Sequence, residues 1–216
     1  MRIKFLLAIP GAVLLFGCAA NLQMTAQQTE RQTNLVEIVQ EDVPPTIKQL
    51  LVNANQQTEI TKEYDPNYTV LKYPNGDVPM EKGVCTDVVV RAMRAAGVDL
   101  QKEVHEDMAA NFAVYPRKWG LKAADPNIDH RRVPNLQTFF TRKNKSLAIT
   151  DKTEDYKPGD IVAWDLDGKG LTHIGIVSNL RSKTTKRYLI IHNIGRGTET
   201  EDVLFNWKVI GHYRYF

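Results

Sequence analysis

The sequence is poor in cysteine, with only Cys18 and Cys85 among 216 residues. Two cysteines exclude the network of several disulfides that stabilises many small secreted domains. The single disulfide that they allow would join a flexible N-terminal segment to the folded core. If Cys18 is used for another purpose, Cys85 is an unpaired thiol, either buried and inert or kept for its reactivity.

The sequence also lacks a strong excess of either charge and lacks a long apolar run. Its formal charge is +3, but Arg2 and Lys4 belong to an N-terminal segment that we expect to be removed, which leaves 26 basic against 25 acidic residues. Nearly balanced charge gives no support to nucleic-acid binding. The longest apolar run, residues 5–16, is shorter than the ~20 residues that cross a bilayer, which argues against a transmembrane anchor.

The N-terminus has the pattern of an export signal. Two basic residues precede the apolar run, and small residues then lead into Cys18, so we predict a signal peptide over residues 1–17. Residues 15–18 resemble the lipobox of bacterial lipoproteins, which implies that Cys18 is acylated and becomes the first residue of the mature protein. The protein would then be lipid-anchored in the periplasm of the bacterial envelope, at the outer membrane. The alternative is an ordinary secretion signal with an incidental cysteine.

Composition divides the rest of the chain into a tether and one domain. Residues 18–43 are rich in Gln, Thr and Glu and bury too little apolar surface to fold, which predicts a flexible tether. Residues 44–216 have the length of a single domain. We expect this domain to be a monomer.

Hydrophobic periodicity predicts helices first and strands afterwards. Helical spacing indicates helices that begin near Pro45, Thr86, Lys102 and Pro134, and a short strand-like alternation covers 68–73. The C-terminal third alternates with period two over 161–164, 172–178, 188–194 and 209–215, with turn residues between. This order predicts an α+β domain in which N-terminal helices pack on a C-terminal antiparallel sheet.

Cys85 and two histidines have the spacing of a thiol active site. Cys85 begins the second predicted helix, and a helix N-terminus and a nearby imidazole both favour a thiolate. His173 and His192 lie on neighbouring predicted strands, where alternation puts both rings on one sheet face. Thiol, base and a third group that orients the base form the set that nucleophilic catalysis requires.

Residues 157–164, followed by 172–177, resemble the paired strands of NlpC-type cysteine peptidases, in which a proline-glycine-aspartate strand precedes the strand of the catalytic histidine. Ile191-His192 resembles their third strand, whose polar residue orients that histidine. A closer similarity, covering nearly everything after Pro45, is to the bacterial family known as domain of unknown function 1287. It is carried by residues 83–87, 104–108, 127–132, 192–195 and 211–213.

The resemblance implies a papain-like NlpC-type fold and a thiol hydrolase that cleaves amide bonds in peptidoglycan stem peptides without a cofactor. Cys85 would be the nucleophile, His173 the base and His192 the residue that orients it. Tyr73 resembles a tyrosine that helps the oxyanion site of the wider group. Further candidates for oxyanion or substrate binding are Asp87, Asp129 and Arg131. The charged residues Asp107, Asp129, Arg131 and Arg132 could form a buried ionic network, line the substrate groove or belong to a solvated loop.

Other functions stay open at this stage. The chain is also compatible with a non-catalytic wall-binding or scaffold lipoprotein that keeps the fold, and with a thiol acyltransferase. His105 and His130, each flanked by acidic residues, raise the possibility of zinc, but their spacing matches no compact metal signature, and we predict no metal site.

Overall fold

The computed structural model describes residues 42–216 and the backbone of strand β1 (Val36–Ile38). The predicted signal peptide 1–17, the predicted acylation site Cys18 and most of the predicted tether 18–43 lie outside the described residues. None of the helices in the described part of the chain has the length and apolar character needed to cross a membrane.

Four helices form the N-terminal part of the domain. They are α1 (Pro45–Ile60), α2 (Cys85–Ala95), α3 (Leu100–Ala110) and α4 (Val133–Arg142). The local sequence explains their starts, since Pro45 occupies the first turn of α1 and the Asp99 carboxylate accepts a hydrogen bond from the backbone N–H of Gln101 at the start of α3. Helix α3 begins near the predicted start at Lys102 and ends at Ala110, after which the chain turns at Asn111 into a short 3-10 helix, Phe112–Val114.

The C-terminal part forms an antiparallel sheet in the order β7-β6-β5-β4-β8. Its strands are β4 (Ile161–Asp165), β5 (Thr172–Ser182), β6 (Tyr188–Asn193), β7 (Thr198–Glu201) and β8 (Lys208–Tyr213). Two short parallel strands, β2 (Glu63–Tyr64) and β3 (Lys82–Gly83), lie just before α2. The predicted α+β class, with N-terminal helices packed on a C-terminal antiparallel sheet, is confirmed.

The sheet separates two hydrophobic clusters. On one face, Ile174 and Ile176 of β5 pack with α2 residues such as Val88, Met93 and the thiol-bearing Cys85. On the other face, alternate strand residues pack with the segment that follows β7. The members of this second cluster are Tyr156, Val162, Trp164, Val177, Tyr188, Ile190, Val203 and Leu204. Both faces are covered, so the strands in the middle of the sheet are buried on both sides.

Two local predictions were wrong. Residues 68–73, predicted as a strand, form a loop without a strand partner among residues 42–216, and Val70 is 80% exposed. Strand β7 was not predicted, because its sequence Thr-Glu-Thr-Glu has no apolar alternation and it forms only by pairing with β6.

Candidate active site

The thiol lies at the first residue of α2, in a turn that glycine and aspartate shape. The Asp87 carboxylate accepts a hydrogen bond of 2.7 Å from the backbone N–H of Val84, which holds the chain as it enters the helix. A Cβ atom at Gly83 would lie 3.0 Å from Asp87 Oδ2, so only glycine fits there without displacing the carboxylate. The position predicted for Cys85, at a helix N-terminus, is confirmed, and the thiol is free of any disulfide.

Burial dominates the electrostatics of this thiol. Cys85 is 6% exposed, and burial raises the pKa of its thiol to about 12, an effect that backbone N–H groups, foremost that of Ile174, only partly oppose. The sequence predicted the opposite direction from the helix N-terminus and the imidazole. Helix packing explains the difference, because it removes the sulfur from water and so disfavours the charged form.

His173 and His192 form the predicted histidine pair. Their side chains meet through His173 Nε2 and His192 Nδ1, 2.8 Å apart, with ring centroids 5.0 Å apart. The second ring nitrogen of His192, Nε2, lies 3.1 Å from Glu201 Oε2 on β7. Both rings are buried, and burial, followed by the proximity of His192, lowers the pKa of His173 to about 3. At neutral pH His173 is therefore neutral.

A glycine allows the two rings to approach. Gly175 lies opposite Val162 on β4, and a Cβ atom there would lie 3.1 Å from His192 Cβ and 3.0 Å from the carbonyl oxygen of Ile191. Any larger residue would push β6 away from β5. The predicted strand alternation is also confirmed, since His173 stacks on Trp164 while Ile174 packs in the cluster that contains Cys85.

The backbone at the start of β5, next to His173, lies beside the thiol of Cys85. The backbone N–H of Ile174 is directed to the sulfur of Cys85, and Thr172 lines the same cleft as the thiol. Both residues are sequence neighbours of His173. The thiol therefore lies beside the short piece of strand that carries the histidine.

A cleft of about 200 Å³ opens beside Cys85. It is lined by Tyr64, Pro66, Val84, Cys85, Trp119, Ile128, Arg131, Arg132, Val133, Pro134 and Thr172. Burial, followed by the nearby Cys85 and Asp87, raises the pKa of Tyr64 to about 12, so its hydroxyl stays protonated and is a hydrogen-bond donor at neutral pH. Tyr64 was not singled out in the sequence, where nothing distinguishes it from other tyrosines.

Tyr73, the predicted oxyanion residue, lies elsewhere. Its hydroxyl donates a hydrogen bond of 3.3 Å to Glu106, and its ring packs edge-on against His105. It is 39% exposed and does not line the thiol cleft. The prediction for Tyr73 is therefore corrected, because the loop that contains it packs on α3 and not on the start of α2.

Asp87 and Arg131 come together as a buried ion pair. Arg131 Nε and Nη2 donate to the two carboxylate oxygens of Asp87, each at 2.9 Å, and Arg131 also donates to the backbone carbonyls of Asp65 and Asn67. Of the alternatives for Arg131, a buried ionic network describes it better than substrate binding, and Asp87, predicted at the oxyanion or substrate site, belongs to that network. The network fixes one wall of the cleft and the turn that carries the thiol.

Arg132 has a different environment from its neighbour. Its guanidinium lies 4.2 Å from the ring centroid of Trp119, and both residues line the cleft. Within residues 42–216 it makes neither a hydrogen bond nor an ion pair within 4 Å, and its Nη1 is buried without a partner. Arg132 is thus a cation in the thiol cleft that no acidic group among residues 42–216 contacts directly.

The remaining candidates are structural in their contacts. Asp129 is fully buried, accepts from the backbone N–H of Asp125 and pairs with His105 Nδ1 at 3.0 Å; burial raises the pKa of its carboxyl. His130 is buried, which lowers its pKa to about 4.

His212 pairs with Asp160, which also binds Arg214, so the aspartate of the proline-glycine-aspartate motif holds β8 to β4.

Metal ligands do not gather in the part of the chain that the structure describes. Among residues 42–216, no group of three or more His, Cys, Asp or Glu side chains is arranged to hold a metal ion. The two histidines considered for zinc lie in separate environments. His105 pairs with Asp129, and His130 is buried.

Comparison with known proteins gives the family. The model described as Domain of unknown function (DUF1287) matches residues 51–215. The chain belongs to this family. The predicted membership is thereby confirmed, and the match covers the whole thiol site of this DUF1287 chain. A relative from Escherichia coli (strain K12), titled Uncharacterized protein YijF, is 56% identical over 184 residues, which cover 81% of this chain and 88% of that protein.

Two solved structures are similar to this DUF1287 chain at low identity. An N-acetylmuramoyl-L-alanine amidase from Bacteroides uniformis ATCC 8492 is 13% identical with a TM-score of 0.46, over 79% of this chain and 98% of that one. NlpC1 from Trichomonas vaginalis is 11% identical with a TM-score of 0.42, over 83% of this chain. The DUF1287 chain spans about half of NlpC1, 47% of its length.

Proposed function

We propose that this protein is a thiol hydrolase of the bacterial envelope that cleaves amide bonds in peptidoglycan stem peptides. The observation that carries the proposal is the free thiol at the start of α2, beside the strand that bears the hydrogen-bonded His173–His192 pair, in an open cleft. A thiol, a neutral imidazole and a second group that holds that imidazole are the components of nucleophilic amide hydrolysis.

In the proposed reaction His173 acts as the general base. His192 engages Nε2 of His173, so Nδ1 is the nitrogen that takes the proton from the Cys85 sulfur as that sulfur attacks the amide carbonyl carbon. The resulting imidazolium gives the proton to the leaving amine, the C–N bond breaks and an acyl-thioester remains. A water molecule then attacks the thioester while His173 takes its proton, which releases the acid and restores the thiol.

The negative charge that develops on the carbonyl oxygen needs hydrogen-bond donors. We propose the backbone N–H of Cys85 at the helix N-terminus as one donor and the Tyr64 hydroxyl, in place of Tyr73, as a second. Tyr64 is supported by its position on the cleft wall and by the raised pKa that keeps its hydroxyl protonated.

Burial gives the resting site a defined protonation state. With the pKa of Cys85 raised and that of His173 lowered, the unliganded site holds a neutral thiol and a neutral imidazole at pH 7. Proton transfer then accompanies attack on a bound substrate and does not precede it. This arrangement limits reaction of the thiol with small electrophiles and oxidants, which suits an exported protein.

Arg132 supports peptidoglycan stem peptides as the substrate class. These peptides carry free carboxylates, and the Arg132 guanidinium, which none of residues 42–216 hydrogen-bonds, offers one of them a charge-assisted hydrogen bond. The predicted signal peptide and the acylation of Cys18, if both occur, would bring the domain to the peptidoglycan layer.

Purified peptidoglycan incubated with the protein tests the proposal. We expect mass spectrometry to detect released peptide fragments with the wild type, and at least ~10²-fold less with Cys85→Ala or His173→Gln. His105→Gln is the matched control, because it changes a histidine that lies apart from the thiol cleft. Fragments formed equally by Cys85→Ala would overturn the thiol mechanism.

The same experiment separates the two alternatives. Binding of the wild type to peptidoglycan without any release, unchanged in Cys85→Ala, would favour a wall-binding lipoprotein. Products that carry an added amine, formed only by the wild type when a peptide amine is supplied, would favour a thiol acyltransferase that shares the same thioester.

A further inference from the structure

We propose that Glu201 is a positioning residue, which fixes the tautomers of His192 and His173 so that the unprotonated nitrogen of His173 is the one available to Cys85. The function of this device rests on the proposed thiol chemistry, but the tautomers themselves are a property of the folded protein and are measurable without a substrate. Glu201 lies on β7, nine residues after His192, in a polar strand that no sequence pattern singled out.

The proposal follows from the chain of hydrogen bonds. An ionised carboxylate only accepts hydrogen bonds, so Glu201 Oε2 requires the proton of His192 to be on Nε2, 3.1 Å away. A His192 ring that carries its proton on Nε2 alone has a lone pair on Nδ1. That lone pair, 2.8 Å from His173 Nε2, requires the proton of His173 to be on Nε2 as well. Nδ1 of His173 is then unprotonated and is a base.

Burial and the neighbouring indole rings favour the Glu201 carboxylate as the group that sets the tautomers. His192 is fully buried and His173 is 3% exposed, so bulk water competes weakly for their nitrogens. Their ring neighbours are Trp164, which stacks on His173, and Trp207, whose ring centroid lies 6.1 Å from His173 and 6.3 Å from His192. An indole only donates hydrogen bonds and offers no acceptor that would favour another tautomer.

The backbone and a cation hold Glu201 in place. Strand β7 pairs Glu201 with Ile190 and Glu199 with His192, so Glu201 reaches His192 diagonally across the β6–β7 pair. Arg196 lies 2.8 Å from Glu199 and 3.5 Å from Glu201 Oε1. The hydrogen bond to His192 lowers the pKa of the Glu201 carboxyl, which keeps it ionised at neutral pH.

Nitrogen NMR of the full chain with ¹⁵N-labelled histidine is the direct test. In the wild type at pH 7 we expect Nε2, and not Nδ1, to carry the proton in both His173 and His192, with signals assigned by single His→Gln variants. In Glu201→Gln the amide both donates and accepts, so His192 should populate the tautomer protonated on Nδ1, and His173 should follow. A wild-type His192 protonated on Nδ1, or unchanged tautomers in Glu201→Gln, would overturn the proposal.

Release of fragments from purified peptidoglycan is the second readout. We expect Glu201→Gln to lower the rate about tenfold, a part of the ~10²–10⁴-fold that a positioned base contributes, and Glu201→Asp to recover some of it. Glu199→Gln is the matched control, because it removes the same charge from the same strand and the same Arg196 without touching the ring nitrogens. An equal loss of rate in Glu199→Gln and Glu201→Gln would show that only the negative charge of the strand matters, which would overturn the positioning role of Glu201.

The two readouts distinguish the two proposals. If the wild type releases no fragments but Glu201 sets the tautomers as expected, the hydrolase proposal fails and the structural assignment of Glu201 stands. If the wild type is active and the tautomers do not depend on Glu201, the hydrolase proposal stands and the role of Glu201 fails.

Discussion

At the scale of single residues, two adjacent arginines show how little the sequence says about their use. Arg131 makes four hydrogen bonds to Asp87 and to two backbone carbonyls and is buried. Arg132, one residue later, rests on Trp119 and faces the cleft without a hydrogen-bonded partner among residues 42–216. The first holds the turn that carries the thiol, and the second is the residue that we propose binds a substrate carboxylate.

Replacement of Arg132 by glutamine should weaken substrate binding more than it slows chemistry. We expect KM for a stem peptide with free carboxylates to rise about tenfold or more, the equivalent of one lost charge-assisted hydrogen bond, with a small change in kcat. Arg117→Gln, an equal change of charge at an exposed position outside the cleft, is the control. Steady-state kinetics on the free-acid peptide and on its amidated form measure the effect.

The amidated peptide provides the stricter comparison. If Arg132 binds a carboxylate, its replacement should change KM for the free-acid peptide and leave KM for the amidated peptide nearly constant. The same rise in KM for both peptides would mean that Arg132 shapes the cleft and does not recognise charge.

At the scale of elements, the distance between β5 and β6 determines whether His173 and His192 can form a hydrogen bond. The two histidines meet only because Gly175 leaves room for His192 and for the backbone of Ile191. Gly211 makes a similar close contact on the edge strand β8, where an added Cβ atom would lie 2.5 Å from the hydroxyl oxygen of Tyr213. The two glycines therefore have comparable steric roles but differ in their distance from the site.

Gly175→Ala and Gly211→Ala form a matched pair. Each should lower the free energy of unfolding by about 1–3 kcal/mol through overpacking. Only Gly175→Ala should also reduce peptide release per folded molecule, because it separates β6 from β5 and lengthens the His173–His192 hydrogen bond. Urea unfolding and activity assays corrected for the folded fraction measure both effects. Equal activity in the two variants would contradict the required approach of the rings.

At the scale of the whole described domain, the interior holds two histidines whose pKa burial lowers, so that folding keeps them neutral. Burial lowers the pKa of His130 to about 4 and that of His173 to about 3, against a usual value of 6.5. Below pH 6.5 the unfolded chain binds protons at these positions that the folded chain does not bind. The folded state therefore loses stability as the pH falls from 6.5 towards 4.

His130→Gln should reduce this dependence on pH. The contribution of His130 to the loss of unfolding free energy between pH 6.5 and pH 4 amounts to at most about 3 kcal/mol, since each pH unit corresponds to ~1.4 kcal/mol for one proton. Urea unfolding at pH 7.5, 5.5 and 4.5 measures it, and the difference between variant and wild type at pH 7.5 isolates the cost of packing. Parallel stability curves would assign the pH dependence to other groups.

The sequence by itself determined those features that depend on local pattern. The 3.6-residue and two-residue periods predicted the α+β order, the helix that Cys85 begins and the shared sheet face of His173 and His192. These predictions hold because a helix face and a strand face are fixed by neighbours a few residues away. Strand β7 was missed because its sequence lacks such a pattern. Residues 68–73 have the alternation but pair with no strand among residues 42–216.

Only the tertiary structure decided which polar residues surround the thiol. It brings Tyr64 rather than Tyr73 to the cleft, buries Arg131 while leaving Arg132 open, and adds Glu201 behind His192. It also raises the pKa of Cys85, where the helix N-terminus alone predicted a lower one. Each of these outcomes depends on burial and on contacts between residues far apart in sequence, and no local period encodes either.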